Sequence, residues 1–86
     1  MEIKYKNYTI KIEEDGKPLR DDLKPLEVAQ GQWVKLLIYK DGNFKAEADK
    51  FGYRVDGANH PSLATPFTNM QRYIESVENP IKNETI

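Results

Sequence analysis

Cysteine is absent from this 86-residue chain, which excludes disulfide staples and thiolate metal sites. Small secreted domains usually depend on such staples, so the sequence reads as a cytoplasmic protein of a reducing compartment. Histidine occurs once, as His60, and a single imidazole cannot assemble a multi-histidine metal site. No run approaches the roughly 18 apolar residues of a membrane span. The start, Met1-Glu2-Ile3-Lys4, lacks the apolar stretch of a secretion signal. The two Asn-x-Thr sequons, at Asn7 and Asn83, therefore read as chance. A surplus of either charge is missing too: thirteen basic and fourteen acidic side chains leave a net charge of −1. Nucleic-acid binders usually carry a basic excess or a basic face, so this balance disfavours a phosphate-backbone partner.

What remains is the composition of a small globular protein, 38% hydrophobic and 31% charged. A chain this short buries only about 60–65% of its unfolded surface. One α+β domain over residues 1–80 is expected, with 81–86 as a frayed tail.

Apolar residues alternate from Ile3 to Ile12, and the phase changes at Lys6-Asn7, where a bulge or tight turn would return them to one face. Glu13 to Pro18 reads as a turn. Residues 19–32 are less legible: Pro25 could open a short helix closed by Gly31, but strand or loop is preferred. Then comes the clearest hairpin, spanning residues 33–48, with Lys40-Asp41-Gly42 between its arms. A two-residue Asp41-Gly42 turn would pair Tyr39 with Phe44 and set Val34, Leu36 and Ile38 beside charged residues. A three-residue loop with Gly42 as a bulge pairs Ile38 with Phe44, Leu36 with Ala46 and Val34 with Ala48, and lets Lys35 face Glu47. Because a one-residue slip exchanges the faces, the apolar match selects the three-residue loop. Phe51, Tyr53 and Val55 announce another strand, and residues 58–62 read as a loop. Thr65 as N-cap, Pro66 at the first helical position and Asn79-Pro80 as terminator predict a helix over about 66–78. Its apolar stripe is Phe67, Met70, Tyr73, Ile74 and Val77.

The expected fold is thus a small antiparallel sheet of three to five strands, a meander around the 33–48 hairpin. One C-terminal helix packs on one face, against Val34, Leu36, Ile38, Phe44 and Ala46.

Chemistry is sparse. A His60–Asp56 dyad has no cysteine or nucleophile-elbow serine to activate. Glu13-Glu14-Asp15 with Asp21-Asp22 lacks the ligand spacing of a calcium loop, and the glycines form no phosphate-cradling pattern. The sequence nominates no catalytic residue, metal or cofactor, and it points away from an enzyme. The candidate partner-binding residues are Trp33, Lys35, Leu37, Tyr39 and Lys45, an aromatic strip interleaved with charge on the second face of the hairpin. Lys4, Lys6 and Lys11 are expected on the outer side of the first strand. Tryptophan and tyrosine are enriched in interface hot spots, so the leading expectation is a non-enzymatic protein-binding module of adaptor or inhibitor type, or self-association. The alternative is a single-stranded nucleic-acid binder, stacking bases on the same aromatics.

Overall fold

Two-residue turns organise the chain. A computed structural model describes residues 2–14, 17–18 and 34–78; the expectations for residues 19–33 and for the 81–86 tail lie outside the described residues. Strands β1 (Glu2–Tyr5), β2 (Tyr8–Glu14), β3 (Lys17–Pro18), β4 (Lys35–Lys40), β5 (Asn43–Asp49), β6 (Gly52–Val55) and β7 (Ala58–Pro61) precede one helix, α1 (Pro66–Glu78). The strands form one antiparallel sheet in the order β1-β2-β4-β5-β6-β7. The short β3 continues β2's outer edge beyond β1, pairing Glu14 with Lys17. The seven strands among the described residues exceed the three to five expected.

The phase change at Lys6-Asn7 is a tight turn, with Lys6 at φ 54°, so Tyr5 and Tyr8 face each other at its mouth. Asp41 and Gly42 have φ values of 53° and 79°. Both signs are those of a type I′ turn, whose twist matches that of the flanking strands. Lys40 is therefore paired, with Asn43, and Tyr39 pairs with Phe44. This corrects the three-residue loop. The faces still match because the register shifts between Ile38 and Tyr39: Ile38 lies opposite Ala46 and Leu36 opposite Ala48. Lys45 is the extra residue of this β-bulge. The apolar matching thus identified the right faces for all but Phe44, while its pairs Ile38–Phe44, Leu36–Ala46 and Val34–Ala48 are wrong because it assigned the extra residue to the turn. Phe44 was expected in the core and is instead 54% exposed.

Asp56 and Gly57, at φ 51° and 82°, repeat the same turn, and the segment expected to be a loop is strand β7. The strand was illegible because all four of its residues are exposed and carry no apolar alternation. Gly52 has no room for a side chain, since a Cβ there would lie 2.2 Å from the His60 carbonyl oxygen.

Two cross-sheet rows make the core. Ile3, Ile10, Ile38 and Ala46 form one, and Ile12, Leu36, Ala48 and Tyr53 the other. The helix lies over β5, flanked by β4 and β6, where the small side chains of Ala46 and Ala48 leave room for it. Met70 and Ile74 fill that space and are fully buried. Val77, expected in the buried stripe, is 49% exposed. Thr65 caps the helix, its hydroxyl accepting from the Thr68 amide at 3.2 Å. Asn69 is wholly buried. Its side-chain amide donates to the carbonyls of Asp49 (2.6 Å) and Ser62 (2.9 Å), while its Oδ1 has no partner among the described residues. Lys6 leaves the outer face assigned to it and bonds Glu78 at the helix end (2.8 Å), which raises its pKa.

Candidate interaction face of the sheet

Strand alternation sends every second residue to the face that α1 does not cover. From β1 to β5, one row there reads Lys4, Thr9, Tyr39, Phe44. The next reads Glu2, Lys11, Leu37, Glu47, Arg54, Asn59. Of the sequence-nominated residues, Leu37 and Tyr39 are brought together here and partly covered, while Lys35 and Lys45 flank them and are exposed. Trp33 lies outside the described residues.

Tyr39 and Phe44 form an edge-to-face pair with centroids 5.6 Å apart and planes at 70°. The Lys11 ammonium sits 4.7 Å from the Tyr39 ring centre, an attractive cation–π arrangement. Lys4 Nζ donates to the Thr9 hydroxyl at 2.8 Å. Among the described residues, Lys4, Lys11 and Lys45 have no carboxylate partner.

The other end of the face is internally neutralised. Arg54 Nε donates to Glu47 Oε1 at 2.8 Å and Arg54 Nη2 to Asp49 Oδ2. These hydrogen bonds, to Glu47 first and then Asp49, raise the Arg54 pKa further. Lys35 Nζ is 3.8 Å from Glu47 Oε2, but Glu47 lies opposite Leu37, so Lys35 reaches it diagonally and not from the facing position expected. The face is therefore divided into an aromatic end whose basic rim no described carboxylate pairs and an end where charges satisfy one another.

Sequence reasoning missed Phe44, Thr9 and Arg54. The signal for Phe44 was Asp41-Gly42 read as a two-residue turn, which places it opposite Tyr39. His60 stacks on Tyr53, with centroids 4.7 Å apart and an interplanar angle of 12°, and no hydrogen bond joins it to Asp56. Among the described residues no cluster of histidine, aspartate and glutamate has the arrangement of a metal site, and no helix is long and apolar enough to cross a membrane. Comparison with known protein families, curated proteins and solved structures finds no match to this chain.

Proposed function

We propose that the chain is a non-enzymatic, cytoplasmic protein-binding module that docks an apolar segment flanked by acidic residues on the open face of its sheet. The observation that carries this reading is the Tyr39–Phe44 pair beside lysines that no described carboxylate neutralises. Aromatic side chains in pairs supply large contact area with little loss of conformational freedom. Leu37 extends the apolar floor, and Lys4, Lys11 and Lys45 supply the basic rim. A partner carboxylate would draw Lys11 from the Tyr39 ring and expose that ring to an apolar neighbour.

Phe44 is the sensitive probe because it is exposed and its truncation leaves the core intact. In a pull-down from the native host, a Tyr39→Ala/Phe44→Ala variant loses the partner captured by the wild type. Truncating hot-spot residues typically costs about 2 kcal/mol or more, a weakening of roughly thirtyfold. A partner retained equally by both proteins overturns the assignment. The rival reading, single-stranded nucleic acid stacking on the same aromatics, predicts that a labelled oligonucleotide binds with an affinity falling steeply as salt rises. The net charge of −1 and the acids beside Arg54 weigh against it.

A further inference from the structure

Among the described residues strand β7 ends the sheet, and the ladder fixes where its hydrogen-bonding groups point. The Ser62 amide donates to the Phe51 carbonyl at 2.8 Å, continuing the β6–β7 ladder beyond the Gly52–Pro61 pair. Antiparallel ladders alternate pairs that exchange hydrogen bonds with pairs that do not. Hence Tyr53–His60 and Val55–Ala58 exchange bonds, whereas Gly52–Pro61 and Arg54–Asn59 do not. The Asn59 N–H, the Asn59 C=O and the Pro61 C=O therefore point away from the sheet. Proline has no N–H to offer, so the edge presents one donor and two acceptors.

The two ends of the strand order differ in protection. At the β1 edge the residues facing outward from the ladder are Glu2 and Lys4, and charged side chains discourage strand addition. The β7 residues, Ala58-Asn59-His60-Pro61, include no acidic side chain, lysine or arginine, and all four are exposed, so the blunting there is left to Pro61 and the strand's short length. A place for side chains lies on each side of this edge. Between β7 and α1 runs a groove of about 860 Å³ whose walls combine Tyr53, Val55, Tyr73 and Val77 with the charged Arg72 and Glu75. On the opposite face a hollow of about 460 Å³ is lined by Phe51, Arg54, Pro61 and Leu63. Phe51 is 58% exposed and Leu63 87%.

We propose that β7 is a docking edge for an extended segment of a partner protein, which joins the sheet by donating to Asn59 C=O and Pro61 C=O and accepting from Asn59 N–H. Backbone bonds supply the register and alternate side chains the specificity. The residue opposite Asn59 points to the outer face. Its two neighbours point to the α1 side, where large apolar side chains occupy the groove. The segment therefore carries bulky apolar residues two positions apart. A second copy of this chain fits less well, because its β7 would bring only Ala58 and His60 to the groove. This edge is separate from the Tyr39–Phe44 face, and neither reading depends on the other.

The test is a selection against the full chain from a phage-displayed library of random peptides, followed by titration with the synthetic winners. Enriched peptides should show large apolar residues two apart and bind the wild type and Phe44→Ala alike. Asn59→Pro removes the outward N–H, leaves the β6–β7 ladder its bonds, and should weaken binding about tenfold or more relative to Asn59→Ala, which loses the same side chain but keeps the N–H. Should that variant misfold, N-methylating the two peptide amides that face β7 cuts the complementary bonds, those to the Asn59 and Pro61 carbonyls, without touching the protein, and should weaken binding likewise. The Asn59 amide should exchange rapidly with solvent in the free chain and slowly in the complex. No enrichment over bare support, equal binding by Asn59→Pro and Asn59→Ala, loss on Phe44→Ala instead, or a protected Asn59 amide in the free chain each overturns the proposal. So does a concentration-dependent dimer that Asn59→Pro abolishes, which would assign the edge to a second copy.

Discussion

The side-chain amide of Asn69 donates to the backbone carbonyl of Asp49 at 2.6 Å, tying the first turns of the helix to the last residue of β5. The same amide holds the Ser62 carbonyl at 2.9 Å, so one side chain fixes the helix, the end of β5 and the chain leaving β7. Its donation to two carbonyls also fixes which way the amide faces and leaves Oδ1 buried without a partner among the described residues.

Asn69→Leu therefore leaves two carbonyls without their donor and should cost on the order of 2 kcal/mol. Asn69→Asp, which sets a carboxylate against those same carbonyls, should cost more, and increasingly so as pH rises through carboxylate ionisation. Urea denaturation of the three proteins checks both statements. An Asn69→Leu variant as stable as the wild type would show that the tie contributes nothing.

Deleting Lys45 should preserve the fold. The type I′ turn at Asp41-Gly42 and the pairs Tyr39–Phe44, Ile38–Ala46 and Leu36–Ala48 all remain compatible with a regular hairpin once the bulge residue is gone. Deleting Glu47 instead shifts Ala48 and everything after it by one position and exchanges their faces. Ile38→Ala, a truncation inside the fully buried core, should cost roughly 2–5 kcal/mol. Thermal melts should rank the Lys45 deletion well above both the Glu47 deletion and Ile38→Ala. A Lys45 deletion that unfolds would mean that the bulge is required for the sheet's twist.

Tyr73 should make the folded state sensitive to alkali. Burial is the largest cause raising its pKa above the ordinary 10.0, followed by Tyr8 and Asp56. The folded state thus favours the neutral phenol more than the unfolded chain does. The sign follows: this contribution is complete below the unfolded value and is lost as pH rises through the higher folded one. The stability difference between wild type and Tyr73→Phe should shift in favour of the variant between about pH 8 and about pH 11. A difference that stays constant over that interval would rule out the burial effect.

Legibility in the sequence followed burial. Ile10, Ile12, Leu36 and Ile38 alternate because one side of each strand faces the helix, and that period was readable. Thr65 and Pro66 announced the helix start through local chemistry that needs no tertiary context. Strand β7 was unreadable because an exposed edge imposes no apolar pattern. Phe44 was misassigned because a bulge conserves face matching while changing which residue is extra, so the criterion could not distinguish a bulged turn from a bulged strand. Of the candidate face, Leu37 and Tyr39 were legible from parity alone. The Arg54 clamp was not, because it joins strands β5 and β6 whose register depends on the Lys50-Phe51 turn.

The order of strands also distributes the entropy of folding unevenly. β1–β2, β4–β5, β5–β6 and β6–β7 are each closed by a two-residue turn, so these contacts require little chain to be ordered in advance. The β2–β4 seam is different: it joins Tyr8 to Lys40 and Glu13 to Lys35, far apart along the chain. Loop-closure entropy, and with it the contact order that sets the speed of folding, is concentrated in that seam. The central rows of isoleucine and leucine that cross it are what offset the cost.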